Sequence, residues 1–518
     1  MTNAPTTTAG RRREQRAWYV YDWANSAFST TVAGVLFGPY LIAIAEEAAV
    51  DDRISVLGVS VAPGALPSFT ITASTLLSAV LLPLLGAVAD RTSHKRQLLG
   101  GFAWAGALAA AVLFFMKDDN WELGVVAFLV ANLCFGAAAV VNDSILCLIA
   151  DPDERDGVSS RGWATGYAGG GLLLALNFVV VSMHDTFGLS EGMAVRLSLL
   201  SAAIWWGLFT FVPYLGIKDR PPLAVEPAEG GLLQRSFGQL WHTLRDMRRY
   251  PVALTFLVAY LFFNDGIQTV IASASVYGVE ELGFETGTVL ATYLLVQAVA
   301  VFGALGFGRA AQSYGAKPVI LVGLVIWMVI VTVGLFLPAG ELVPFLAMGA
   351  AIGVVLGGTQ ALARSYFSLL IPQGKEAEYF SFYHAMERGT SWLGTLVFGI
   401  VYTVTDSYRP ALFALIAFFV IGGAVPADAN KTTIVFTVSN DAGALFKALS
   451  VFALRDIDLT KLESRPIPDR PFEYLFYADV SATREELPCA RALMHLAEFC
   501  PLLRTLGSYP RWQEPDAD

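Results

Sequence analysis

Polar and ionisable side chains interrupt several long apolar runs of this 518-residue sequence. In the first run, Asn25 and Ser26 follow Asp22 by three and four residues, so a helix would place them on the same face as Asp22. Such groups are costly in an apolar environment and usually face a cavity or a partner. Asp22 could therefore bind a proton or an ammonium group, or it could lie at the membrane boundary and pair with an arginine.

A second polar cluster lies in the apolar run at about 251–278. Asn264 and Asp265 precede Gln268 by about one helical turn, and Gly266 is expected to loosen the helix between them. Amide and carboxylate groups at this depth predict contact with a substrate or a coupling ion. Simple packing between helices is the alternative interpretation.

Cationic side chains enter two later runs. Gln360 and Arg364 are one turn apart, and a guanidinium can bind a carboxylate through two parallel hydrogen bonds. The alternative for Arg364 is a side chain that extends to the membrane surface. His384, Glu387 and Arg388 are close enough in one helix to form an internal ion pair, which we favour over direct contact with a substrate.

A short charged segment, GAVADRTSHKR, joins two of the apolar runs. Basic residues in so short a loop place it in the cytoplasm. The spacing of Gly86, Asp90, Arg91 and Lys95 resembles the signature loop between the second and third spans of the major facilitator superfamily. The resemblance implies a gating loop that connects neighbouring helix ends, whereas charge alone would indicate only a cytoplasmic loop.

Composition restricts the class of protein. The chain is 55% hydrophobic and 15% charged, whereas soluble domains carry about 25% charged residues. A net charge of −10 argues against nucleic-acid binding. The four cysteines show no metal-ligand spacing, and no P-loop pattern occurs. We therefore predict a polytopic protein in a lipid bilayer, without enzymatic activity, metal or cofactor.

The apolar runs are arranged as two sets of six predicted spans. They follow a basic tail at 1–16 and form one transporter domain at 17–425, with halves at 17–216 and 251–425 and a basic loop at 217–250 between them. The predicted spans are 17–45, 68–85, 98–116, 121–150, 162–183, 194–216, 251–278, 285–311, 316–338, 341–371, 377–405 and 409–425.

The two halves repeat one sequence feature. Gly308 and Gln312 have the spacing of Gly86 and Asp90, but the acid is absent, so we expect a weaker latch in the second half. A six-plus-six arrangement of repeated halves is the plan of major facilitator transporters. Basic residues before the first span and the even number of spans place both termini in the cytoplasm.

Longer segments narrow the resemblance. VYDWANSAF, SSRGWATGYAGGGLLLALN, AYLFFNDGIQTVI and GGTQALARSYFSLLIP, the last followed by EYFSFYHAMERGTSWLG, are similar to the vacuole-effluxer-like branch of the major facilitator superfamily. The resemblance implies a secondary transporter of small solutes, with amino acids as the leading class and efflux as the associated direction. The resemblance does not identify the ion that drives transport, and a proton is one candidate.

The chain changes character after a short linker at 426–430. Runs of β-branched and amphipathic sequence predict a β-α-β-β-α-β order over 431–518, which is typical of a ferredoxin-like α+β sandwich. The fold class is therefore an all-α, twelve-helix membrane domain with a small α+β domain attached. The joint between the two domains has three possible origins: a natural fusion, an engineered chimera or a mis-joined gene model.

The segment AGALFKALSVFALRDIDLTKLESRP in this last domain resembles the regulatory ACT domain of prephenate dehydratases. That resemblance implies a phenylalanine site formed where two such domains meet, and hence a homodimer. The residues that match the site are Gly443, Ala444, Leu445, Glu463, Ser464, Arg465 and Pro466. The alternative is that Gly443 only makes a turn and that Glu463 and Arg465 form a surface pair. Ala442 stands where a proline often precedes this glycine.

The two resemblances together imply a transporter of amino acids by alternating access in a bacterial inner membrane, regulated by an amino-acid effector. Two other functions stay open. One is a transporter-derived receptor that senses amino acids, and the other is a membrane-tethered partner of aromatic amino-acid biosynthesis.

Overall fold

A computed structural model describes most of the chain. The described residues are 8–56, 58–221, 251–371, 374–389, 391–405, 408–423, 431–439, 441–467, 474–484 and 486–509. The predicted linker at 426–430 and most of the predicted loop at 217–250 lie outside these ranges.

Ten of the described helices are long and apolar enough to cross a membrane. They are Ala9–Glu47, Pro63–Arg91, Lys95–Phe115, Trp121–Ile149, Arg155–Ser182, Glu191–Gly216, Val252–Ala274, Gly287–Tyr314, Ala316–Gly334 and Leu342–Leu370. Four shorter helices follow, and we refer to Glu376–Gly389 with Ser391–Thr405 as the eleventh crossing, and to Tyr408–Ala414 with Ile416–Gly423 as the twelfth. The predicted all-α membrane fold is confirmed.

The first helix differs from its predicted bounds. It begins at Thr8, so part of the predicted tail at 1–16 is helical, and it continues to Glu47 through a π-helical segment at Phe28–Leu36. The helix extends beyond the apolar run because polar contacts hold its first turns. Glu14 is buried against Arg220, and Gln15 donates a hydrogen bond to the carbonyl of Ile149 at 3.0 Å.

Gly266 does not loosen the seventh helix, which runs unbroken over Pro251–Val276. A Cβ atom on this glycine would lie 3.2 Å from side-chain atoms of Phe418 and Phe419 in the twelfth crossing. The expectation was wrong because the glycine serves close packing between two helices, which lipid-embedded bundles require.

Each half of the bundle buries its own apolar core. Trp18, Phe28 and Trp206 belong to the core of the first half, and Tyr260 and Trp327 belong to the core of the second. We call the face that carries the loops at 92–94 and 150–154 the motif face. The opposite face carries a hairpin of β1 (Ile54–Val56) and β2 (Val59–Val61), which pair antiparallel.

The C-terminal region forms a separate α+β unit. Its strands are β3 (Lys431–Thr437), β4 (Leu459–Pro466), β5 (Tyr474–Val480) and β6 (Leu502–Tyr509), arranged in the antiparallel order β4-β5-β3-β6. The helices Ala444–Ala453 and Leu487–Ala497 bury residues against the sheet in a core of their own. The predicted β-α-β-β-α-β order is confirmed, and β4 and β6 are the edge strands of the sheet.

Candidate transport and gating site

Arg364 is the centre of a buried ionic network that joins the two halves. Its Nη2 atom lies 3.0 Å from Asp22 Oδ2 in the first helix, and its Nη1 atom lies 3.2 Å from Asp143 Oδ1 in the fourth. Nε donates to Ser159 Oγ at 2.9 Å, and Nη2 also donates to the carbonyl of Ser159 at 3.0 Å. Arg364 is only 4% exposed, so it does not extend to the membrane surface.

Two aromatic rings pack against the guanidinium. The Trp18 ring centroid lies 4.7 Å from Arg364 Cζ, and the Trp163 centroid lies 5.4 Å from it. Stacking of this kind stabilises a desolvated guanidinium. Gly162 permits the approach of the fifth helix, because a Cβ atom there would lie 2.4 Å from Asp22 Oδ2 and 2.9 Å from Arg364 Nη2.

The network continues through His384 of the eleventh crossing. His384 Nε2 lies 2.9 Å from Asp143 Oδ2, and Nδ1 lies 2.8 Å from Glu387 Oε2. Within this helix the structure therefore brings His384 and Glu387 into contact, and the two form an ion pair when the imidazole is protonated. Five ionisable side chains form one continuous chain from Asp22 to Glu387, and it crosses three times between the halves.

Amide groups form a second layer nearer the middle of the bundle. Gln360 Nε2 donates to Asn264 Oδ1 at 2.9 Å, and both side chains are buried. Asn264 Nδ2 donates to the carbonyl of Glu387 at 3.4 Å, and Tyr260 Oη donates to Gln360 Oε1 at 3.5 Å. The structure therefore joins Asn264 and Gln360, which lie in different predicted clusters.

Arg388 spans the two halves at this same level. Its Nη1 atom lies 3.2 Å from Asn132 Oδ1 and 3.3 Å from the carbonyl of Asn132 in the fourth helix. The Phe135 ring centroid lies 4.9 Å from Arg388 Cζ. The Nε atom of Arg388 is buried and has no hydrogen-bond partner among the described residues. A buried guanidinium with spare donor capacity is suited to an anionic ligand.

Three predicted pathway residues lie outside these layers. Asp265 Oδ2 accepts a hydrogen bond from the backbone nitrogen of Gly394 at 2.7 Å, so its carboxylate faces the eleventh crossing and not Gln268. Gln268 and Asn25 are each half-buried. Within the described residues, neither of these two side chains has a hydrogen bond to the Arg364 network.

The predicted gating loop contacts the other half directly. Asp90 Oδ1 and Oδ2 accept from the backbone nitrogens of Ala377 and Glu378, at 2.9 and 2.8 Å, in the first turn of the eleventh crossing. Lys95 Nζ lies 2.9 Å from Asp90 Oδ1. A carboxylate at a helix N-terminus pairs with unsatisfied N–H groups and with the helix dipole. Arg91 is half-buried at the end of its helix and belongs to the same loop.

The second half repeats this contact without the acid. A Cβ atom on Gly86 would lie 2.5 Å from the carbonyl oxygen of Ala377, and one on Gly308 would lie 2.4 Å from Ser160 Oγ. Gln312 lies beside Gly157, at the start of the fifth helix. The two glycine-lined contacts therefore close the motif face at symmetry-related positions.

Sequence comparison assigns the helical part of the chain to a known protein family. Residues 10–427 match the family described as vacuole effluxer Atg22 like. The chain belongs to this family. It is 31% identical over 424 residues to the uncharacterized MFS-type transporter YxiO of Bacillus subtilis strain 168, covering 81% of this chain and 96% of that protein. It is 24% identical over 443 residues to autophagy-related protein 22 of Pyricularia oryzae, covering 70% of this chain and 64% of that protein.

Solved structures show the same fold at low identity. The proton:xylose symporter XylE aligns with a TM-score of 0.61 and 13% identity, covering 81% of this chain and 97% of that chain. The transporter FucP in its outward conformation aligns with a TM-score of 0.57 and 12% identity, covering 80% of this chain and 96% of that chain. The chain is thus a multi-pass membrane transporter of the major facilitator type, in the Atg22-like branch.

The α+β domain begins at Lys431, after the Atg22-like match ends. Gly443 has a φ of +79° and precedes the helix that starts with Ala444 and Leu445. Glu463, on the edge strand β4, lies 3.1 Å from Lys461 Nζ and 3.1 Å from Arg465 Nη2. The hydrogen bonds from Lys461 and Arg465 lower the pKa of the Glu463 carboxyl. Ser464 and Pro466 belong to the same strand.

Several residues of the Atg22-like site escaped the sequence analysis. Asn132, Ser159 and Trp163 contact Arg388 or Arg364, yet none of them was singled out. Asn132 carried a usable signal, because it is the lone amide in an otherwise apolar stretch of the fourth helix. Ser159 and Trp163 carried no such signal, since serine and tryptophan are ordinary residues at helix contacts in lipid.

Proposed function

We propose that this Atg22-like protein is a secondary transporter that moves small zwitterions, with amino acids as the leading class, by alternating access. The observation that carries this proposal is the buried network around Arg364. Its ion pairs and hydrogen bonds join the two halves on the motif face, and these contacts can break when the halves move apart. The motif face is the cytoplasmic face in this proposal, so the conformation is closed inward. The protein resides in a bacterial inner membrane with both termini in the cytoplasm.

The proposed substrate contacts are Arg388 and Glu387, together with the amide groups of the second layer. Arg388 retains an unpartnered buried donor, which suits a carboxylate. The Glu387 side chain is 22% exposed and suits an ammonium group beside it. Asn264 and Gln360 offer neutral polar contacts at the same depth. Arg364 is not proposed as the carboxylate site of this state, because Asp22 and Asp143 occupy its guanidinium.

Replacing Arg388 with glutamine is expected to lower amino-acid flux strongly. Hydrogen bonds between charged groups are worth about 1.5–3 kcal/mol, which corresponds to a KM raised by roughly 10- to 150-fold. The measurement is uptake of a radiolabelled panel of twenty amino acids into proteoliposomes at two external pH values. Arg409→Gln is the matched control, since it removes the same guanidinium group at the opposite end of the bundle, where Arg409 is paired with Glu281.

Two outcomes of this uptake experiment would reject the proposal. Absence of saturable flux for every amino acid would favour a receptor or a tethered regulatory protein over a transporter. Equal KM values for the Arg388→Gln and Arg409→Gln proteins would reject Arg388 as a substrate contact.

The C-terminal domain is proposed to be an ACT sensor that binds phenylalanine and alters transport. The left-handed Gly443 at the helix start and the ionised Glu463 on the edge strand support this role. The exposed edge strand β4 supports pairing with a second copy, since unpaired strand edges readily associate. Ligand binding would shift the transporter only if the ligand prefers one of its states.

Phenylalanine is expected to bind the full-length protein in nanodiscs with measurable heat, and to change the amino-acid flux. The change Glu463→Gln is expected to weaken binding by about tenfold or more, because a hydrogen bond between charged groups is lost. Glu498→Gln, a carboxyl change elsewhere in the domain, is the control. Phenylalanine that releases no heat at millimolar concentration would contradict the sensor assignment without affecting the transport proposal.

A further inference from the structure

We propose that His384 is a proton-binding site that exists only while the motif face is closed, so that opening of this gate releases one proton. The inference rests on the alternating access proposed above, but not on the identity of the solute. His384 is 7% exposed and lies in the second half, while its partner Asp143 lies in the first.

Hydrogen-bond geometry requires the charged imidazolium in this state. Both ring nitrogens of His384 face carboxylate oxygens, of Asp143 at 2.9 Å and of Glu387 at 2.8 Å. An ionised carboxylate only accepts hydrogen bonds, and a neutral imidazole has a single N–H donor. A neutral ring would therefore set one nitrogen lone pair against a carboxylate oxygen. With both carboxylates ionised, only the imidazolium satisfies both contacts.

The charges around the site lead to the same conclusion. The carboxylates are Asp22, Asp143 and Glu387, and the guanidiniums are Arg364 and Arg388. This set has one excess negative charge when the imidazole is neutral, and none when it is protonated. An uncompensated buried charge costs several kcal/mol. Among the described residues, the phenols that face the network are those of Tyr21, Tyr167, Tyr260 and Tyr383, and phenols carry no charge near neutral pH.

When the halves separate, His384 no longer needs to be protonated in order to satisfy its contacts. The fourth helix carries Asp143 away from His384, and Glu387 alone can be satisfied by one N–H of a neutral ring. The imidazolium then transfers its proton to water that enters between the halves. The direction follows: protons stabilise the closed gate, and this stabilisation is lost as pH rises. Glu387, with 22% of its side chain exposed, is the proposed entry point for the proton.

The test measures the distance across the gate without any solute. Spin labels are placed at Gln97 and Ser313, which are exposed at the motif-face ends of the third and eighth helices. The four free cysteines, Cys134, Cys147, Cys489 and Cys500, are first replaced with alanine. Distances are recorded in nanodiscs from about pH 5 to about pH 9, which includes and exceeds the range of about pH 5 to 8 in which an unperturbed histidine changes its charge.

The ratio of open to closed gates is expected to rise with pH, by up to about tenfold per unit, because one proton is linked to closure. His384→Gln is expected to remove this dependence and leave the gate more open, since the excess negative charge then persists at every pH. Glu387→Gln is expected to remove the dependence and leave the gate closed, since the remaining charges balance with a neutral ring. A purely structural role for either residue would not give these opposite effects.

Two controls make the outcome decisive. Glu281→Gln changes a carboxyl group that is also 22% exposed and ion-paired at 2.8 Å, but far from the network, and should titrate like the unmodified protein. Asp90→Asn weakens the cap on the eleventh crossing and should open the gate at any pH. The proposal is overturned if Asp90→Asn opens the gate while pH does not, or if Glu387→Gln titrates normally. These gate distances are measured without solute, so failure to observe amino-acid transport would not change how they are interpreted.

Discussion

Replacing Arg364 with glutamine is expected to destabilise the protein by about 3–5 kcal/mol, because one side of a buried ionic network is removed. Asp22 and Asp143 would remain 7% and 4% exposed without their countercharge. The gate they help to close would also lose its main link between the halves. We expect a lower unfolding temperature in detergent and almost complete loss of flux in proteoliposomes.

The control for this change is Arg309→Gln. Arg309 is exposed at the motif-face end of the eighth helix, and surface changes of this kind usually alter stability by less than about 0.5 kcal/mol. Adding Asp22→Asn to the Arg364→Gln protein should restore part of the unfolding temperature, because one uncompensated charge is then removed. If the double variant is no more stable than Arg364→Gln alone, the assigned ion pair is wrong.

Replacing Gly86 with alanine is expected to hold the motif face open. The added Cβ atom would lie 2.5 Å from the carbonyl oxygen of Ala377 and 2.8 Å from Ser381 Cβ, and the backbone carbonyl cannot move aside without shifting the eleventh crossing. Overpacking of this kind costs about 1–3 kcal/mol, which shifts the gate equilibrium by roughly 5- to 150-fold. The spin-label distance between Gln97 and Ser313 measures that shift.

Gly101→Ala provides the comparison for Gly86. Gly101 lies in the third helix, and a Cβ atom there would meet nothing within 4 Å. The change should therefore leave both the gate distance and the flux unaltered. A Gly86→Ala protein that keeps the closed distance and the normal flux would show that this contact does not form the gate.

The sequence by itself determined the architecture. Apolar runs of span length and the shift to β-branched residues after 430 predicted a helical membrane domain followed by a β-α-β-β-α-β domain, and both are confirmed. This was possible because lipid requires helices whose backbone groups are satisfied internally, so composition and length alone reveal the spans. The spacing from Gly86 to Lys95 predicted a loop that connects neighbouring helix ends, and Asp90 of this loop accepts hydrogen bonds from the eleventh crossing.

Only the tertiary structure decided how the buried polar groups combine. Asp22 and Arg364 are 342 positions apart, and no periodicity along one helix could have paired them. The same holds for Asp143 with His384, and for Asn132 with Arg388. A helical pattern shows which residues share a face, but the partners across that face depend on how the two halves pack. For this reason the sequence located most of the charged groups, whereas their arrangement as a gate came from the fold.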